Sequence, residues 1–554
     1  MTADIEGKTI GGLFREVAQA RDDAVFISFE GSHFSYRSFL QRVDELAKGL
    51  MACGVKKGDR VALWAGNHPD WIACYLATVS IGGVLVTVNT RFHADELCFE
   101  LDQCQASLVV MEGRFLKQGL LDRALDVMPE LAMQPFGEVR SERLPAVKGV
   151  VTFEPHELPG IISLDEMIER GRAIDDEAYA AAREAVGPDD TAIMIYTSGT
   201  TGTPKGVEQQ HVCLLNRMQR FAAWNGMNED DSTFFALPLF HSFGVVVTVL
   251  GVLVTGSKLC LMEKFKAREA LETIDRERCT VIHGVPSSFF MMLEDPEFDR
   301  FDLSCGRTGV LGGALCPPDL AQRIVDNIAP HISEAWGQTE TCGMVTGNAP
   351  SDTPEQIANT VGRVIPGSEV FVLDVNTGMP VGVGEQGEVT VKSPYNMKGY
   401  YRMEEETKQA FDPQYGLRTG DLGYFREDGC LVINGRIRDM FIVGGVNAYP
   451  REIENHIRLL EGVSDVQVVG VPDDRLGEVA CAYVIKKAGA TLSEQDVIDH
   501  CKELANYKIP RHVRFVEEFP MTANGKVKKY VLQRMFADEV GAEVAATVPY
   551  AEER

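Results

Sequence analysis

An apolar run of strand character, Thr191 to Tyr196, opens directly into Thr197, Ser198, Gly199, Thr200, Thr201, Gly202, Thr203, Pro204, Lys205 and Gly206. No other stretch restricts so tightly what the chain can fold into and bind. The three glycines leave backbone N–H groups free to face an anion, the hydroxyls add donors, and Lys205 adds a charge. That composition suits a triphosphate. It matches neither the Gly-x4-Gly-Lys-Ser/Thr loop nor the dinucleotide glycine fingerprint, so composition alone leaves a phosphate-binding loop or a polar turn.

On both sides of this run, apolar β-rich segments such as Arg60 to Trp64 and Ser107 to Met111 alternate with helical patterns such as Ala94 to Gln103. The alternation argues for α/β layers. At 554 residues, 45% of them apolar, the chain exceeds what one core organises, so two or more domains are expected. Met128 to Glu157, poorly periodic and proline-bearing, reads as a surface insertion or irregular connection. Beyond Asp439 the texture changes to small units: a helix from Pro450 to Leu460, a strand from Val466 to Val471, and a helix opened by Ser493 with Asp496 as its capping box. The reading is a large multi-subdomain α/β domain over 1–438 and a small α+β domain over 439–554.

A net charge of −27 works against non-specific binding to nucleic acid or anionic membrane. The apolar stretch from Gly244 to Leu253 is too short to span a bilayer and reads as a buried helix. Neither end of the chain carries a recognisable targeting signal, and the cytoplasm is the simplest address. The 13 cysteines form no Cys-x-x-Cys pair and are expected as reduced thiols.

The run from Tyr196 to Val207 resembles the signature of the adenylate-forming superfamily: acyl-CoA synthetases, peptide-synthetase adenylation domains and luciferase. Further runs follow in the family's order: Leu237 to Gly244, Gly312 to Ala314, Ala335 to Glu340, Arg418 to Asp421, Gly435 to Asp439 and Pro520 to Lys526. The resemblance covers nearly the whole chain and implies a small mobile C-terminal domain hinged at Asp439. It implies ATP, Mg²⁺ and coenzyme A as reaction partners of a small-molecule carboxylic acid. A homodimer is an allowed assembly.

Each residue the resemblance singles out has chemistry that fits. Activating a carboxylate brings two anions together, which needs positive charge, a divalent metal and oriented donors. The resemblance implies that Glu340 binds Mg²⁺, that Thr339 contacts the α-phosphate, and that Asp421 accepts from the ribose hydroxyls beside Arg436. Gly313 and Ala314 would let adenine lie against backbone, with Trp336 and Gly337 completing that wall. Lys526 would be the principal residue of adenylate formation, with Lys528 and Lys529 solvated or at most aids to phosphate binding. Rotation about Asp439 would bring the loop of Gly444 and Gly445 to the pantetheine tunnel for thioester formation. Some relatives carry a lysine where Ile442 stands.

Amino-acid-activating relatives place an aspartate where His241 stands, so an ammonium here has no counter-charge; His241 would pack at the acyl site or gate it. Acetate-specific relatives have tryptophan at the position of Gly337, and glycine is read as leaving the acyl pocket open. Six extra methylenes are worth on the order of 5 kcal/mol. Lining is expected from Phe243, Val285, Pro286, Ser287, Gly312, Gly337 and Cys342, and medium-chain, aryl or alicyclic acids fit. Coenzyme A is the expected acceptor; the alternative is an acyl-AMP ligase that loads a separate carrier protein. Oxygenation of luciferase type and a nucleotide-binding scaffold without turnover are further readings. Lys205, Glu340, Asp421, Arg436 and Lys526 are all present, against the last of these.

Overall fold

The alternation of apolar strands and amphipathic helices resolves into two large sheets packed through a shared helical layer. The computed structural model describes residues 5–116, 118–198, 204–313, 316–521 and 527–540. In the first sheet, Val25–Phe29, Lys258–Leu261, Ser232–Phe235, Val281–Gly284, Thr308–Leu311 and His331–Gln338 run parallel, and Gly343–Gly347 closes one side antiparallel. In the second, Arg60–Trp64 lies between Val84–Thr87 and Ala106–Met111, all parallel. Thr191–Ser198 joins Val84–Thr87 in parallel and turns back as the antiparallel strand Pro204–Gln210.

Strands buried on both faces are mostly apolar, and these are, with His283 and Glu334 among the buried exceptions. Val61, Leu63, Leu85 and Ile193 of one sheet share a core with Phe235, Leu259, Val281 and Val310 of the other, filled between them by the helices Ile10–Ala20, Pro69–Ser80 and His211–Trp224. The stretch read as a buried helix is helical. It is a π-helix over Phe243–Leu250 that continues as an α-helix over Gly251–Thr255, buried from Gly244 onward. The segment read as a surface insertion or irregular connection is irregular between Ala132 and Val150, but it is not confined to the surface. Leu131, Val139, Leu144 and Val147 are buried in the core outside the second sheet, and Val150–Thr152 supplies a strand. Aperiodic sequence hid it because its apolar residues are anchored singly rather than along one face.

A five-stranded antiparallel sheet that includes Gly387–Lys392, Gly416–Phe425 and Leu431–Arg436 follows. After a short 3₁₀ turn at Ile437–Asp439, a separate sheet and core begin at Phe441. In that unit the helix Pro450–Arg458, the strand Val463–Asp473 and the helix Glu494–His500 stand where the sequence places them, and Ser493 and Asp496 form the expected capping box. Among the described residues no helix is long and apolar enough to cross a membrane.

Candidate active site

In an open α/β sheet the crevice beyond the carboxyl ends of the strands collects loops and unmet backbone groups. Here His331–Gln338 ends in the turn Thr339–Thr341, Thr308–Leu311 ends at Gly312, and Val281–Gly284 ends at Val285. The turn is tied down from several elements. Gln209 Nε2 donates to the Thr339 carbonyl at 2.6 Å, Arg217 Nε to the Thr341 carbonyl at 3.1 Å, and the Met397 N–H to the Glu340 carbonyl at 2.8 Å. Arg217 is fully buried, which pulls its guanidinium down to about 10.

Those ties aim Glu340 at the glycine-rich hairpin. Its Oε1 accepts from Thr197 Oγ1 at 3.3 Å and from the Tyr400 hydroxyl at 3.1 Å. Lys205, paired across the hairpin with Thr197, holds its ammonium 4.8 Å from the centre of the Tyr400 ring and is only 9% exposed. A carboxylate, an ammonium and a hydroxyl thus surround the mouth of the hairpin. Gly199, Thr200, Thr201 and Gly202, together with the Ser198 side chain, lie outside the described residues, as do Ala314 and Lys526. Among the described residues no group of three or more His, Cys, Asp or Glu side chains could hold a metal ion.

A second cluster centres on Asp421, 5% exposed. Its Oδ2 accepts from Trp336 Nε1 and from Gln338 Nε2, each at 2.8 Å, and its Oδ1 faces Arg436 Nε at 3.1 Å. Register explains the last contact, since Asp421 and Arg436 are direct cross-strand partners. A buried carboxylate is tolerated where its lone pairs are met in this way.

On the acyl side, Phe243 and Gly312 touch: a Cβ on Gly312 would stand 3.2 Å from Phe243 Cε1. Gly313 has a positive φ, and a Cβ there would meet Val285. His241 is half-buried, stacked obliquely at 4.5 Å on Phe240. Gly337 corrects the sequence reading. A Cβ there would sit 2.2 Å from the Gly343 carbonyl oxygen, so backbone of the neighbouring strand, and not open pocket, excludes a side chain. Cys342 is buried in a left-handed conformation just past the turn.

In the C-terminal unit Gly444 and Gly445 form the positive-φ turn between two short strands, Phe441–Val443 and Val446–Ala448. Asp439 sits 3.6 Å from Arg438 Nε. Met521 and Val527, which flank the segment bearing Lys526, pair with each other. Lys529, read as solvated, is not: its ammonium donates to the buried Glu454 at 2.6 Å and to the Val468 carbonyl at 3.1 Å.

Sequence reasoning missed Tyr400, Gln338, Gln209 and Arg217. Tyr400 is 60 positions from Glu340, and only the pairing of Gly399–Tyr400 with Val207 and Glu208 brings it in. It also missed Arg451, at the start of the helix Pro450–Arg458. Burial lowers its guanidinium, while Glu454, Glu334 and Asp421 oppose that, so the helix start faces the Asp421 cluster.

Two stacked sheets, a hydroxyl-rich hairpin and a buried aspartate beside a tryptophan define an adenylate-forming enzyme. Residues 14–401 match the family described as AMP-binding enzyme, and 452–526 match its C-terminal domain. The chain is 35% identical to a methyl-dioxo-octahydroindenyl-propanoyl:CoA ligase of Rhodococcus jostii, over 94% of this chain and 96% of that one. It is 33% identical to the mitochondrial medium-chain acyl-CoA ligase of Rattus norvegicus, over 95% and 87%. The ATP-bound structure of MatB from Rhodopseudomonas palustris superposes with a TM-score of 0.80 at 30% identity, covering 96% of this chain and all of that one. The chain belongs to the AMP-binding enzyme family, in its AMP-forming acyl-CoA ligase branch.

Proposed function

We propose that this ligase joins a medium-chain, aryl or alicyclic carboxylic acid to AMP with release of pyrophosphate, and then passes the acyl group to the thiol of coenzyme A. The observation that carries the reading is the grouping of Lys205, Tyr400, Thr197 and Glu340 at the mouth of the hairpin. Tyr400 contacts both charges, the ammonium with its ring and the carboxylate with its hydroxyl, and in this reading each serves a triphosphate or its counterion. Mg²⁺ takes one or two carboxylates together with substrate phosphates, and Glu340, already oriented by two hydroxyl donors, fits that donor set. The ion would supply charge neutralisation on the phosphates.

In this reading Thr339 donates to the α-phosphate, while Trp336 and Gly313 border the adenine. Asp421 exchanges its present partners for the ribose hydroxyls, with Arg436 alongside. Lys526 bridges carboxylate and α-phosphate oxygens as they approach, which lowers the cost of bringing two anions together. The segment 1–438 acts as the adenylating domain, and 439–554 turns about Asp439 to bring Gly444 and Gly445 to the thiol. His241, Phe243, Val285 and Gly312 border the acyl group. The absence of a carboxylate at position 241 disfavours amino acids, and relatives named for medium-chain and alicyclic acids support an apolar acid.

The test is pyrophosphate release with ATP and Mg²⁺ across acids from acetate to decanoate plus benzoate, cinnamate and cyclohexanecarboxylate, each with and without coenzyme A. CoA-dependent turnover on the longer or cyclic acids is expected. Adenylate that coenzyme A cannot discharge would assign the acyl group to a carrier protein instead.

A further inference from the structure

One buried polar side chain beside the acyl site has no role in the chemistry above. His283, on the strand Val281–Gly284, is 2% exposed, and neither its Nδ1 nor its Nε2 has a hydrogen-bond partner. The neighbours that register and ring geometry set against it are apolar. Val310 is its cross-strand partner, and the register of Phe234 with Ile282 sets Phe235 beside it on the other neighbouring strand. The Phe243 ring covers it at 5.8 Å. Burial lowers this imidazole to about 3, with no charged group among the described residues acting on it, so it is neutral and offers one N–H donor and one acceptor. Native interiors rarely leave such groups unmet, and exceptions cluster where a ligand supplies the partner.

Position says which ligand. Phe243 touches both His283 and the place where a Gly312 side chain would be. Along the strands, His283 pairs with Val310, one residue before both strands end and two before Gly312, which puts the imidazole ~7 Å deeper in the sheet than Gly312. The half-buried Phe243 ring is what lies between the imidazole and Gly312.

We infer that His283 is a specificity-determining residue that hydrogen-bonds a neutral oxygen function, a carbonyl or hydroxyl, carried partway along the acyl group, so that the substrate class is an oxygenated acid rather than a plain hydrocarbon one. The inference rests on the ligase reading above and deepens it. A second carboxylate does not meet the requirement, because no cation among the described residues acts on the imidazole's surroundings.

The experiment compares octanoate with 4-oxo-, 5-oxo-, 6-oxo- and 7-oxo-octanoate as substrates for CoA thioester formation, in the wild type and in His283→Leu and His283→Gln. Expected is a wild-type preference of at least ~10-fold for one oxo isomer over the others, since leaving a buried polar group unpaired carries a penalty of that order. The ratio of that isomer to octanoate should fall at least ~10-fold in His283→Leu, chiefly through KM, with partial recovery in His283→Gln, which keeps a donor and an acceptor. Equal use of all oxo isomers by the wild type, or an unchanged ratio in His283→Leu, overturns the inference, as it would if His283 met only a buried water. Should His283→Leu fail to fold, the wild-type comparison decides by itself. Thioester formation without oxo dependence leaves the ligase reading intact; no thioester from any acid removes both.

Discussion

Tyr400 offers its two chemistries to opposite charges: its hydroxyl donates to Glu340 Oε1 at 3.1 Å while its ring receives the Lys205 ammonium 4.8 Å from the centroid. The tyrosine thus contacts a lysine with its ring and a glutamate with its hydroxyl. Burial and the neighbouring Glu340 carboxylate both raise its hydroxyl, which therefore stays a donor throughout the working pH range. Tyr400→Phe keeps the ring contact and loses one hydrogen bond, so kcat/KM for ATP should fall about 5- to 10-fold. Tyr400→Ala loses both and should fall further, by roughly 50-fold. Pyrophosphate exchange measures both variants; equal losses would mean the hydroxyl alone matters.

Lys526→Ala should reduce adenylate formation by at least ~10²–10³-fold, the range seen when an oriented donor to developing negative charge is lost. Thioester formation from supplied acyl-AMP should be largely retained. The two half-reactions, assayed separately, decide it, and an equal loss in both would remove the proposed turn about Asp439.

Asp421→Ala should separate binding from stability. It leaves Trp336 Nε1, Gln338 Nε2 and the Arg436 guanidinium without their shared partner. Orphaned groups of this kind cost about 2–4 kcal/mol, visible as a lower Tm without nucleotide. Calorimetric titration should also find ATP binding weakened, and a variant that melts lower yet binds ATP normally would take Asp421 out of the ribose site.

At Gly337 the expected effect is on folding. A Cβ would stand 2.2 Å from the Gly343 carbonyl oxygen, so even Gly337→Ala must displace the strand Gly343–Gly347, at roughly 3 kcal/mol. Thermal melting should register the loss, while the chain-length profile of the remaining activity should match the wild type. A shift toward short acids without a drop in Tm would restore the pocket-closing reading.

Stability should decline below neutral pH. His211, whose Nδ1 accepts from the Ile10 N–H at 3.1 Å and whose Nε2 is buried without a partner, is lowered by burial to about 4, and His283 to about 3. Both folded values lie below the unfolded value near 6.5, so the unfolded chain binds more protons as pH falls, and the native state loses stability from about pH 6.5 down toward 4 and 3. The loss amounts to several kcal/mol, on the order of ~1.4 per unit of pH for each histidine. Urea unfolding at pH 7.5, 6 and 5 measures the slope, which His283→Leu should make shallower; an unchanged slope would mean His283 is protonated in the native state.

The run from Tyr196 to Val207 could be read as a candidate phosphate loop because glycine freedom, hydroxyl donors and a lysine are all local properties. The same is true of the capping box at Ser493 and Asp496, which involves only one turn of helix, and of the alternating apolar runs that became two buried sheets. What the sequence determined by itself was therefore the α/β layering, the change of texture near Asp439, and the runs carrying Glu340, Asp421 and Lys526. Only the tertiary structure decided which groups meet. Tyr400 reaches Glu340 and Lys205 through a two-residue strand pairing. Lys529 finds Glu454 across the helix and strand packing of the small unit. The Gly337 backbone lies against Gly343 because of a register shift in the strand pair. His283 is orphaned by neighbours from two adjacent strands and a π-helix. Such contacts depend on register and packing between distant segments, and a run of residues read in order carries neither.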